Sequence, residues 1–300
     1  MDRLPRTGEE VPLNEIQRVS GGTAANVAVA AARILGPRKV AFIGALGDDE
    51  IGETQLSIIE AEGVDHSGVL IVEGEESGQA YITIGANGEN EIHTYFGANL
   101  CLTRQSLRDP ERMALIEGSR IAVIMDPPLE TAEALAKLCS SSGSTVIWDP
   151  GLYAELGIEA LSSALEYVDY FVLNHLEYEN FMGTSEPGEV GEMLRGEKPG
   201  LKGIIKRGSE GSIMCGAGHD EPLVMEAVPL ERLGLSVVNT VGCGDAFIGA
   251  FAAAKVNGLS DAESLRRGCA AGSFKATRKE TRGGPTAEEF ERILKTWSAL

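Results

Sequence analysis

The sequence lacks any apolar stretch close to the ~20 residues needed to cross a bilayer, which excludes a helical membrane protein. It also lacks an apolar signal core. The chain starts MDRLPRTGEE, so a cytoplasmic protein is expected. Cysteine is scarce, with five in 300 residues and no CxxC pair. An odd number without paired spacing reads as reduced thiols, not as a disulfide framework. Basic residues are outnumbered, 26 Lys and Arg against 45 Asp and Glu, for a net charge of −19. Such a surface repels a phosphate backbone, so nucleic acid is not the expected partner. Small phosphorylated ligands need only local donors and are still admitted. Several motifs are missing as well. There is no GxxxxGK[ST] phosphate loop, no GxGxxG after an early strand, no GxSxG nucleophile turn and no HExxH. His66, His93, His175 and His219 are scattered, so a zinc site is not expected.

What is present suits a large core: the chain is 43% hydrophobic and 24% charged. No repeat, low-complexity tract or long linker divides it. The spacing predicts helices at 24–35 and 50–62, with a buried strand at Val40–Gly44 between them. A β-like run at Ile16–Val19 and strand-rich text from Val69 to Tyr95, broken by an Asn87-Gly88 turn, read as a small β excursion over about 10–20 and 68–97. Beyond it, strands at Ile121–Met125, Thr145–Trp148, Tyr170–Leu173 and Gly203–Lys206 alternate with helices at 129–141, 158–166 and 175–182. Two β segments, Ser212–Cys215 and Leu223–Val228, precede helices near 244–257, 260–277 and 286–298. Apolar strands interleaved with helices imply an α/β protein whose mostly parallel sheet is covered on both faces.

Four segments could carry chemistry. Asn239-Thr240-Val241-Gly242-Cys243-Gly244-Asp245 opens a long helix. Glycines and a helix N-terminus attract an anion, yet Asp245 would repel it. The combination makes sense if Asp245 takes a proton from an attacking hydroxyl while nearby amides hold charge on a transferred phosphoryl group. Ordinary helix capping explains the same residues. Gly21-Gly22-Thr23-Ala24-Ala25-Asn26 would let a hydroxylated ligand approach, with Asn26 offering donor and acceptor; a tight strand-to-helix turn is the plainer reading. Asn174 and Glu177 share a helix face and could orient magnesium-bound water or phosphate, or form a capping box. Lys206-Arg207-Gly208-Ser209-Glu210-Gly211 ends a strand, where cations and glycines suit phosphate or a solvated hairpin turn.

Taken in order, these segments resemble the PfkB/ribokinase family of sugar and nucleoside kinases. GGTAANVAVAAARILG followed by FIGALGDDEIGE resembles the family's N-terminal signature, and NTVGCGDAFIGAFAAA its C-terminal one. WDPG, NHLE and KRGSEGS stand between them where the family has a DP turn, an N-x-x-E motif and a G-x-x-G nucleotide loop. The segment SGQAYITIGANGENEIHTYFGAN is similar to the lid of the ribokinase-like branch. The resemblance implies a single domain with a three-layer α/β/α ribokinase-like fold and a small β-sheet lid that forms a homodimer. It implies transfer of ATP's γ-phosphoryl group, with magnesium, to a hydroxymethyl group of a sugar, ribose or a related pentose or hexose before a nucleoside. It also implies roles. Asp245 is the base, and Gly242, Cys243 and Gly244 form the anion hole. Gly21, Gly22, Asn26 and Asp126 face the substrate. Asn174, Glu177, Lys206, Gly208 and Gly211 serve the nucleotide, with Asn174 and Glu177 near magnesium. Three departures stand out. Asn239 replaces the usual Asp near a potassium site, and Cys243 the usual Ala. The family's first strand, with its substrate-binding Asp, has no counterpart before residue 1, so the sheet is expected to be one strand short. A ligand-binding or regulatory protein with weak turnover is the competing reading.

Overall fold

A computed structural model describes residues 1–86 and 90–299, so the Asn87-Gly88 turn lies outside the described residues. Helix α1 (Thr23–Leu35) leads to strand β1 (Ala41–Gly47), helix α2 (Glu50–Ala61) and strand β2 (Asp65–Val72). Strands β3 (Gln79–Ile84) and β4 (Asn90–Tyr95) pair antiparallel as a hairpin. After α3 (Pro110–Gly118), the chain alternates: β5 (Ile121–Met125), α4 (Leu129–Ser141), β6 (Thr145–Asp149), α5 (Ile158–Leu165), β7 (Tyr170–Asn174), α6 (His175–Met182), α7 (Pro187–Glu197) and β8 (Lys202–Lys206). It ends with β9 (Ser212–Gly216), β10 (Leu223–Met225), α8 (Cys243–Val256), α9 (Asp261–Ala276) and α10 (Ala287–Ser298).

The main sheet runs β10-β9-β8-β7-β6-β5; β5 to β8 are parallel, and β9 and β10 antiparallel. Alternate residues of each strand feed two cores. Val146, Trp148, Phe171, Leu173 and Ile205 pack with Ala132 and Ala136 of α4, Leu161 of α5, Tyr178 of α6 and Leu194 of α7. Ile147, Val172 and Ile204 face the other way, onto Val27 of α1, Phe247, Ile248 and Phe251 of α8 and Leu265 of α9. This is the expected three-layer α/β/α fold. At the amino ends of the strands, half-buried Asp261 accepts from Tyr170 Oη at 2.8 Å, Lys202 Nζ at 2.7 Å and Lys255 Nζ at 3.0 Å. That end is closed by ion pairs, which leaves the carboxyl ends for chemistry.

Two expectations about the lid need correction. Residues 16–19 form no strand: Ile16 and Val19 are exposed and no neighbouring strand offers them a ladder. Residues 65–72 do not join the lid either. β2 pairs in parallel with β1, from Asp65 opposite Ala41 to Val72 opposite Gly47, because the α2 crossover returns it beside β1. The hairpin β3–β4 is therefore the whole described lid sheet. Among the described residues, β1–β2 is a two-stranded sheet of its own and β5 ends the six-stranded sheet, with no ladder between them.

The arrangement depends on how closely α1 and α8 approach. A Cβ on Gly249 of α8 would lie 2.7 Å from Ala30 Cβ and 2.8 Å from Val27 O of α1. Gly249→Val should force the helices apart and cost ~1–3 kcal/mol, as overpacking does. Urea unfolding measures the loss; unchanged stability would mean that the helices do not need this contact.

Candidate active site

Helices α1 and α8 begin at the same edge of the molecule, and their first turns meet side chains from the carboxyl ends of β5, β6, β7 and β8. Position 242 turns the chain into α8 with a left-handed φ of 86°. A Cβ there would strike Thr281 O at 2.3 Å, so glycine is required twice over. In the first turn of α8, Asp245 receives Asn26 Nδ2 on its Oδ2 at 2.7 Å. Asn26 is buried and itself accepts from Arg282 Nε at 2.9 Å. Arg282 also donates to Gly21 O and, at 3.0 Å, to Gln55 Oε1. A chain of donors therefore aims the Asp245 carboxylate. Burial pushes Asp245 up to about 6, against the pull of the Asn26 hydrogen bond and the Lys206 charge.

Asp126 follows β5 in a left-handed conformation, φ 49°, which aspartate tolerates better than most residues. Thr23 Oγ1 donates to its Oδ2 at 3.0 Å. Burial, then repulsion from Asp149, pushes Asp126 up to about 6 as well. Lys206, ending β8, donates to buried Asp149, ending β6, at 2.7 Å. The Lys206 charge also attracts Glu177 and Asp245, and its Nζ would lie 3.5 Å from a Cβ on Gly244. Three carboxylates, Asp149, Glu177 and Asp245, thus gather around one ammonium.

Asn174 and Glu177 form a closed capping box at the head of α6: Glu177 N donates to Asn174 Oδ1 at 2.9 Å, and Asn174 N to Glu177 Oε2 at 2.6 Å. Burial raises the Glu177 pKa and the Lys206 charge opposes it. Among the described residues no cluster of three His, Cys, Asp or Glu could hold a metal unaided. Gly208 sits in open space on the β8–β9 turn, whereas Gly211 is bare because a Cβ would meet Met225 O at 2.1 Å. Beside that turn, a cavity of about 260 Å³ is lined by His175, Ser185, Pro187, Arg207, Glu210 and Ile213. Arg207 Nε is buried there without an acceptor. The Cys243 amide is not free for an anion, since it donates to Thr240 O at 3.1 Å; the amides of Gly242, Gly244 and Asp245 make no backbone bond among the described residues. Sequence reasoning missed Thr23, Asp149 and Arg282. The WDPG turn marked Asp149, a carboxylate ending a parallel strand where open α/β sheets bind ligands. No local pattern marked the others.

A family profile described as "pfkB family carbohydrate kinase" matches residues 2–288. The chain is 31% identical over 296 residues to a ribokinase of Lactococcus lactis, covering 98% of this chain and 92% of that one. It is 28% identical over 294 residues to an ATP-dependent ribose-1-phosphate kinase of Halopiger xanaduensis, covering 98% and 93%. Its fold matches the structure of Arabidopsis thaliana ribokinase complexed with ribose and ATP, with a TM-score of 0.84, 27% identity and coverage of 98% and 93%. The chain belongs to the pfkB family of carbohydrate kinases, whose members are ATP-dependent sugar kinases.

In the Lys206–Asp149 pair Asp149 is buried and Lys206 half-buried. Lys206→Met should leave the Asp149 charge uncompensated and cost ~3–5 kcal/mol. Chemical denaturation of this variant, and of Lys206→Met combined with Asp149→Leu, checks it. The double variant should recover most of the loss.

Proposed function

We propose that the chain transfers the γ-phosphoryl group of ATP to a hydroxymethyl group of ribose or a related pentose or hexose. The observation that carries this is Asp245: a half-buried carboxylate, held on one oxygen by Asn26, in the first turn of a helix whose Gly242 and Gly244 amides make no backbone bond. Its other oxygen has no partner among the described residues and can take the acceptor's hydroxyl proton. The acceptor oxygen forms a bond to the γ-phosphorus as the bond to ADP breaks, and the proton moves to Asp245. The Gly242 and Gly244 amides and the Lys206 ammonium oppose the charge on the transferred group.

On the acceptor side, Gly21, Gly22, Asn26 and Asp126 hold the sugar hydroxyls, and Asp126 accepts from them when ionised. On the donor side, Lys206, Gly208, Gly211 and the Asn174–Glu177 turn flank the nucleotide, and the unpartnered Arg207 Nε meets its phosphates. Glu177 fits magnesium held through water, as this ion keeps much of its hydration. When bound with the nucleotide, magnesium neutralises phosphate charge. Five free thiols suit a reducing cytosol.

A second acceptor, a pentose already phosphorylated at another position, is favoured by one observation. Arg282 Nη1 is buried without an acceptor, on the side chain that ties Gly21 to Asn26. A panel of ribose, ribose 1-phosphate, other pentoses and hexoses, and nucleosides, run with ATP and magnesium, separates the readings. Turnover of no acceptor would sink the kinase reading.

The lid supports a homodimer. Tyr81, Ile82, Ile84, Ile92 and Tyr95 are all exposed on a two-stranded sheet that cannot cover itself. Ile92→Lys should shift sedimentation from dimer to monomer at micromolar concentration. A wild-type chain that sediments only as monomer would refute the pairing.

Asp245→Asn should lower kcat by at least ~10²-fold while leaving nucleotide affinity by calorimetry nearly unchanged. The carboxylate is the active form, so activity holds above its pKa and falls below it. With Asp245 near 6, log(kcat/KM) should drop as pH falls through about 6. Because the Asn26 hydrogen bond lowers that pKa, Asn26→Ala should move this acid limb to higher pH.

A further inference from the structure

We propose that the ammonium of Lys275 is a built-in cation behind the anion-binding turn, standing where the family resemblance calls for a potassium ion. The inference rests on the kinase reading and adds a positioning residue to it. Lys275 lies in the last turn of α9 and is 0% exposed. Its Nζ donates to the main-chain oxygen of Asn239 at 2.9 Å, its one hydrogen bond among the described residues. No carboxylate pairs with it there within ion-pair distance. Its stem runs under the turn into α8: a Cβ on Gly242 would lie 3.5 Å from Lys275 Cε, and one on Gly283 2.9 Å from Lys275 Cδ.

A buried, unpaired ammonium is costly unless its charge is used. Burial lowers the Lys275 pKa, and the Cys243 thiol, Glu280 in the loop after α9 and Asp245 in α8 oppose that drop. Asp245 and the amides of Gly242 and Gly244 are the groups that meet the transferred phosphoryl. Lys206 approaches Gly244 while held by Asp149. Lys275 adds a second cation, one that no carboxylate holds, at the head of α8.

The same residues do not fit a potassium ion. The carboxylate that would hold one is replaced by Asn239, whose amide is spent in the loop: Nδ2 donates to Lys279 O at 2.7 Å and Oδ1 accepts from Val241 N at 3.0 Å. The Asn239 carbonyl is taken by Lys275. A second cation would sit against the ammonium. Lys275 also ties the 239–242 loop to α9, where Val238 N and Asn239 N donate to Ala276 O.

The test compares potassium chloride with choline chloride at equal ionic strength, on the full chain. Wild-type melting temperature, and wild-type turnover of ribose with ATP and magnesium, should be the same in both salts within twofold. Lys275→Ala in choline should lose ~10-fold or more in kcat, on the scale of other electrostatic groups that stabilise a transition state. Methylammonium or potassium should restore several-fold of that loss and raise the variant's melting temperature. Lys275→Met, which fills the space without charge, should lose rate and not be rescued. Wild-type turnover or melting that rises several-fold or by several degrees with potassium would overturn the proposal. So would a Lys275→Ala enzyme as fast as wild type in choline. If Lys275→Ala does not fold, the wild-type salt comparison and Lys275→Met decide. If the wild type phosphorylates no acceptor, the kinase reading fails by itself, and the salt dependence of melting alone judges the cation.

Discussion

The close contact between α1 and α8 is the constraint on which the site depends. Both helices are rich in alanine, and Gly249 lets the backbone of one rest almost on the other. Small residues bury little area each, but they bring two helix N-termini to one place at interior packing density. Asn26 and Asp245, 219 positions apart, then form a hydrogen bond. Neither glycine-flanked turn is a site without the other. Bulkier side chains along this seam would stabilise each helix face and separate the two halves of the chemistry.

The second organising feature is charge held out of water. The chain carries an excess of acid, and the site concentrates it: Asp126, Asp149, Glu177 and Asp245 crowd one strand edge. Desolvation and mutual repulsion raise Asp126 and Asp245 toward neutrality, where a carboxylate becomes a competent base. Lys206 from the sheet and Lys275 from beneath α8 limit that rise at Asp245. Exposed charges farther off than a Debye length are largely screened by salt, so the acidic surface does not set the balance within the site.

The alternating strands and helices from residue 121 onward were readable because each buried strand is a short apolar run bounded by polar turns. Helices α3 and α7 were missed for different reasons. The α7 segment, PGEVGEMLRGE, has three glycines and low helix propensity, and is held by burial of Val190 and Leu194. The α3 segment did carry a signal, Asp109 capping with Pro110 at the first position. Val69–Val72 looked like lid because its apolar residues showed no periodic face. Its partner, β1, was a choice that local pattern cannot encode.

By itself the sequence determined the class of fold, the segments that could bind an anion or a hydroxylated ligand, and the identity of Asp245 as the acid worth following. These depend on local features: periodicity, glycine placement and helix ends. Only the tertiary structure decided that Lys206 answers Asp149, that Arg282 aims Asn26, that the Cys243 amide turns inward and that Lys275 reaches the Asn239 carbonyl. Apart from the Cys243 amide, which meets Thr240 three residues back, those partners lie tens to hundreds of residues apart, and their ionisation depends on burial that no local window contains. A charge acquires its chemistry from what surrounds it, and the packing of α1, α8 and α9 against the strand ends sets those surroundings.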